Sequence, residues 1–199
     1  MPDLADPFEL FSLPRRYAIE RTALEAAYER LTLAHHPDFF ATAPAAEREQ
    51  AERIAAAVNR GYRLLSDDAA RAAWLLERLA RGRALNAQAL PAGFLQEMFA
   101  LQEEVQALDD AADATDAAGA ARRAEVRREA AAKLAHIAAE RAALFATAER
   151  PIQSERQAEP ERQTERQAEP EQLQAIQSNL NCERYLQRLL ARLDGQQNE

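Results

Sequence analysis

Three consecutive residues, His36-Pro37-Asp38, could do chemistry by contact, with His35 before them turned toward the hairpin or solvent. Pro37 has no N–H and clashes with a preceding helical turn, so it cannot lie inside a helix. It also drives His36 out of the α region. An imidazole, a fixed kink and a carboxylate are therefore held in a turn. Asp38 could offer a charge-assisted bond to an arginine of a partner. His36 could add a hydrogen bond, and the proline would reduce the entropy lost on docking. The same residues could equally be the connector of a helical hairpin, with Asp38 as a cap.

A second set is Leu95, Gln96, Phe99 and Glu103. Phe94, Met98, Leu101, Val105 and Leu108 follow one another at steps of four, three, four and three, a core-facing helical stripe. At about 100° per residue, Leu95 and Phe99 lie on its flank, with Gln96 and Glu103 further round. They form either a second buried face or an exposed apolar patch with a polar, acidic rim. His136, alone on an alanine-rich helix, reads as solvated or at the edge of the core, and the single cysteine, Cys182, reads as structural. No paired carboxylates, Gly-rich phosphate loop or nucleophile beside a base is present. Neither an enzyme nor a cofactor or metal site is expected.

These residues need helices to position them. Residues 4–14 make a short start, with Asp6-Pro7 capping a turn. Leu24, Tyr28 and Leu31 predict a helix from Ile19 to Ala34. A long helix from about Ala45 to Leu65 presents Ala51, Ile54, Ala55, Val58, Tyr62 and Leu65 on one face. The two can pair as an antiparallel hairpin with His36-Pro37-Asp38 at its tip. Ser66-Asp67 can cap a third helix, whose Trp74 would pack toward the second half of the chain. Arg81-Gly82-Arg83 marks a boundary, and Pro91 is suited to opening the next helix. Asp109 to Gly119 reads as a linker or acidic turn, followed by a helix from Ala120 to Ala146. Glu-Arg-Gln-Ala-Glu-Pro-Glu stands at 155–161 and again at 165–171. With no apolar stripe, it cannot bury enough area to offset its ordering entropy. The last helix, about Leu173 to Leu193, changes phase. Leu173, Ile176 and Leu180 lie nearly opposite Leu186, Leu189, Leu190 and Leu193, so it is either interrupted near Ser178-Asn179 or buries different faces along its length.

The chain of 199 residues has a net charge of −8 and is 47% hydrophobic, much of it alanine. Few strand signals and many helix formers indicate an all-α protein. The negative charge argues against nucleic acid as a partner. No apolar run approaches the roughly 18–20 residues of a membrane helix. One cysteine permits no internal disulfide, and a cytoplasmic setting is the simplest expectation.

The succession of a helix, His36-Pro37-Asp38, a helix ending at Tyr62-Arg63-Leu64-Leu65, and Ser66-Asp67-Asp68-Ala69-Ala70-Arg71-Ala72-Ala73-Trp74-Leu75-Leu76 resembles a J-domain. With the opening Asp6-Pro7-Phe8-Glu9-Leu10-Phe11-Ser12-Leu13-Pro14, and with Phe94-Leu95-Gln96-Glu97-Met98 through Glu103-Glu104, the chain is similar to the HscB type, the co-chaperone of iron–sulphur cluster assembly. The resemblance covers most of the chain apart from the charged repeat. It implies an all-α, L-shaped fold: a J-domain helical hairpin at 1–82 and a C-terminal three-helix client-binding bundle at 83–199. The charged segment at about 148–172 reads from its own composition as a flexible, exposed insertion in which Pro160 and Pro170 interrupt any helix, with a short charged helix between the prolines as the alternative. The resemblance also implies that the J-domain stimulates a DnaK-class ATPase chaperone (HscA type) through His36, Pro37 and Asp38, with Arg21 and Arg30 beside them. The bundle would bind the cluster scaffold protein (IscU type) through Leu95, Gln96, Phe99, Glu103 and Tyr185. The alternative is a J-domain co-chaperone for a different client class. Phe39 stands where J-domains commonly carry lysine. Glu20, Glu25 and Glu29 offset the basic helix face, and Ala100 and Ala107 replace residues that are usually acidic. The chain lacks the N-terminal cysteine-pair zinc module of many eukaryotic members, which favours a bacterial-type protein.

Overall fold

The computed structural model describes residues 6–110, 117–149 and 169–194, and every regular element among them is helical. The chain divides into two compact units, Met1–Arg78 and Leu79–Glu199.

The first unit begins with α1 (Pro7–Phe11), started by Asp6. The Asp6 carboxylate accepts bonds from the Phe8 and Glu9 N–H groups at 2.9 and 3.3 Å, and Arg15 pairs with it at 2.5 Å. Pro7 takes the first helical position, and Ser12, in the left-handed region at φ 56°, closes the turn. α1 packs against α3 (Ala45–Ser66), which also packs against α2 (Arg21–Ala34). Gly61 explains how closely α1 approaches. A Cβ there would lie 2.8 Å from Phe11 Cε2, so α1 sits where only glycine leaves room. α2 and α3 form the hairpin, stapled by Tyr28 stacked on Tyr62 at 4.2 Å and by the Tyr28 hydroxyl donating to Asn59 Oδ1. Of the expected α3 face, Ala51, Val58 and Leu65 are buried, whereas Ile54, Ala55 and Tyr62 are only half-buried. Ala57 and Gly61 complete the buried side.

α4 (Asp68–Ala80) is capped by Asp67 alone, which accepts from the Ala69 and Ala70 N–H groups at 2.8 and 2.9 Å. Ser66 is instead the last residue of α3. Buried Arg71 fastens α4 to its neighbours, donating to the carbonyls of Tyr17 and Leu65 and pairing with Asp68. The Trp74 ring meets Phe8 and carries Arg78 over its face, all within this unit.

The second unit contains α5 (Phe94–Asp110), α6 (Ala117–Ala148) and α7 (Pro170–Leu193). Pro91 does not open α5. It lies three residues ahead, its carbonyl accepting the Phe94 N–H in a turn whose Gly93 takes φ +84°. Asp109 and Asp110 still belong to α5, and α6 already begins at Ala117; the rest of the expected acidic linker, 111–116, lies outside the described residues. So does 150–168, most of the expected charged insertion. Pro170 does not interrupt a helix but starts α7, at the position where a missing N–H is no loss. The shared core joins Met98, Leu101, Val105, Val126, Ala130, Ile137, Cys182 and Leu186.

α7 is continuous, so its change of phase reflects burial of different faces. Near the middle both sides are covered. Asn179 donates to the Ile137 carbonyl of α6 at 3.0 Å, while Asn181 donates to the Ala87 and Ala89 carbonyls of the segment before α5 at 3.0 and 2.9 Å. The α6 stripe continues past Ile137 to Phe145 through Arg141, a fully buried guanidinium paired with Glu183 of α7.

Candidate functional site

α2 ends at Ala34, and a 3₁₀ turn, Pro37–Phe40, begins at the proline. His36 has extended φ and ψ of −64° and 131° ahead of it, as proline demands of its neighbour. His36 Nδ1 accepts the Asp38 N–H at 3.3 Å. The His36 side chain is itself 48% exposed. The Asp38 carboxylate, 3.6 Å from the same nitrogen, is 86% exposed. The turn thus presents an imidazole and a carboxylate to solvent. Phe39 is also exposed, with its ring edge-on to His36 at 6.0 Å.

The two arginines of α2 do not lie together. Nine residues apart at 100° per residue, they occupy opposite sides of the helix. Arg21 lies at the far end of α2, about 20 Å of helix from the tip, and pairs with Glu25 at 3.2 Å. Arg30 is exposed and closer to the tip.

On α5, Leu95 and Phe99 are exposed at 41% and 61%, flanked by exposed Gln96 and Glu103. The flank is therefore open, not a second buried face. Tyr185 of α7 is 43% exposed and stands edge-on to Phe94 at 6.2 Å. With Met98, Gln102, Arg188, Leu189 and Arg192 it lines a groove of about 270 Å³ between α5 and α7. Gln102 is on the Leu95 side of α5, so groove and patch adjoin. The opposite side of α5 is tied to α6, where Lys133 bonds Glu97 at 2.9 Å and holds its carboxyl below the usual range. Gln102, Arg188 and Arg192 escaped the sequence reading because their shared groove joins helices about ninety residues apart. His136 is exposed and Cys182 lies in the core. Among the described residues, no group of histidine, cysteine and carboxylate side chains could hold a metal ion.

The helical hairpin with His36-Pro37-Asp38 at its tip, followed by α4, has the arrangement of a J-domain protein. No family model matches the chain. It is 42% identical over 108 residues to the co-chaperone protein HscB homolog of Bordetella avium, covering 53% of this chain and 62% of that one. It is 33% identical over 123 residues to the homolog of Chromobacterium violaceum, covering 61% of this chain and 70% of that one. The chain belongs to the HscB co-chaperone family. It spans less than two thirds of several relatives it matches, 62% of the Bordetella avium protein and 58% of its Azoarcus counterpart. The fold is that of chaperone HscB from Vibrio cholerae (TM-score 0.70, 23% identity, 96% of each chain covered). Human co-chaperone HscB is similar at TM-score 0.70 and 19% identity, over 95% of this chain and 80% of that one.

Proposed function

We propose that this chain is a cytoplasmic co-chaperone of iron–sulphur cluster biogenesis that acts by contact, not catalysis. Residues 1–82 serve as a J-domain that stimulates a specialised DnaK-class ATPase chaperone of the HscA type. Residues 83–199 bind a cluster scaffold protein of the IscU type and deliver it to that chaperone. The observation that carries the reading is the hairpin tip in a chain of this family, with an exposed Asp38 carboxylate and the His36 imidazole beside it. Asp38 would pair with a cation on the chaperone, a charge-assisted bond stronger than a neutral one. Pre-formed turn geometry lowers the entropy lost on docking. Arg30 is better placed than Arg21 to add charge beside the tip.

Leu95, Phe99 and Tyr185 would supply the apolar contact with the scaffold, each buried side chain contributing about 1.5–3 kcal/mol. Gln96 and Glu103 would form the rim and contribute specificity. The test is the ATPase rate of the chaperone with and without this protein and the scaffold. Asp38→Asn is expected to reduce stimulation by about tenfold or more with scaffold affinity unchanged. Unaltered stimulation would remove the assignment of the tip.

A further inference from the structure

The groove between α5 and α7 has a charge that the apolar patch beside it lacks. It is lined by Met98, Leu189 and Tyr185 together with the polar side chains of Gln102, Arg188 and Arg192. Arg192 donates to Gln106 of α5, which holds that guanidinium against the groove. Arg188 is exposed and pairs with no acid among the described residues. Both arginines stand in the last two turns of α7, whose C-terminal dipole favours cations. In a chain of net charge −8, this is a local cationic slot. Its polar groups are cationic or amide and stand beside Met98, Tyr185 and Leu189, which suits a carboxylate carried on an aliphatic stem.

We propose that this groove is a carboxylate-binding subsite of the scaffold-docking face. Arg188, with Arg192 and Gln102 beside it, receives an aspartate or glutamate side chain of the scaffold protein whose apolar residues cover Leu95 and Phe99. The inference rests on the scaffold reading above and adds a partner chemistry to it. A planar guanidinium beside amide and aromatic groups gives two parallel bonds to a carboxylate, which a lysine ammonium does not reproduce. The slot therefore selects for charge and position, while Leu95 and Phe99 select for apolar area.

The test is calorimetric titration of the full chain with the IscU-type scaffold protein at low and high salt. Arg188→Ala is expected to weaken binding by about tenfold, about 1.4 kcal/mol, and to flatten its salt dependence. Arg188→Glu should weaken it further, and Arg188→Lys should keep the salt dependence while recovering only part of the affinity. The side chain is exposed, so melting curves of all three should match the parent. If Arg188→Glu binds as the parent does while Leu95→Ala with Phe99→Ala binds weakly, the subsite is wrong and the scaffold reading stands. If neither variant changes binding, both are wrong. A loss in Arg188→Ala that is equal at all salt concentrations also overturns the subsite, because it would report lost packing of the arginine stem, not charge.

Discussion

At the scale of single residues, environment decides what each reactive-looking group does. Cys182 is the one thiol, and its position in the α5–α6–α7 core makes it inert. Burial, and then the nearby Glu140 carboxylate, push it up to about 11. The folded thiol thus keeps its proton at a pH where the unfolded thiol loses it. Below the ordinary thiol range, about 8.5, both states are protonated and the stability is whole. As pH rises from there to about 11 the unfolded chain gains charge first and stability falls. Melting temperature should therefore drop over that interval, and drop less in Cys182→Ala; identical alkaline profiles would contradict this. His36 gains its meaning from the opposite circumstance, an exposed turn in which its ring stays open to a partner.

At the scale of elements, the helices are aligned by buried polar groups as much as by apolar stripes. Arg141 is 1% exposed, yet it sits on the α6 stripe between Ile137 and Phe145, and its partner Glu183 is 14% exposed on α7. Removing one member leaves the other charge buried. Arg141→Met should cost about 3–5 kcal/mol in urea unfolding, whereas Arg141→Met with Glu183→Leu should recover much of that loss. A double variant no more stable than the single one would mean that the pair does more than neutralise itself. Asn179 and Asn181 act similarly: their amides reach α6 on one side and the 87–89 segment on the other, which lets one continuous helix change its buried face. Gly61 sets the depth of α1 against α3 by having no side chain.

At the scale of the molecule, the two candidate surfaces belong to different compact units. The proposed roles should then separate. Leu95→Ala with Phe99→Ala should weaken scaffold binding at least about tenfold yet leave chaperone stimulation without scaffold intact, the reverse of Asp38→Asn. Sites with no shared partners have additive effects, so combining the variants should give the sum of the two defects in the scaffold-coupled ATPase assay. Loss of basal stimulation in the patch variant would place both functions on one surface.

The sequence by itself determined the helical class, the turn at Pro37, and the core stripe of α5, because local periodicity and the missing N–H of proline act over a few residues. It also placed Leu95 and Phe99 off that stripe, since helical geometry alone sets the angle. Whether the flank was covered depended on where α6 and α7 lie, and only the tertiary structure decided that it is open. The same holds for the α7 phase, where a face is defined by what packs on it: Asn181 looks polar and external until the 87–89 carbonyls are opposite it. Arg141 and Arg188 look alike in sequence, and both are surface residues by type. One is buried by its Glu183 partner and the other lies exposed at a groove, because long-range packing sets the dielectric and the neighbours that a charge meets.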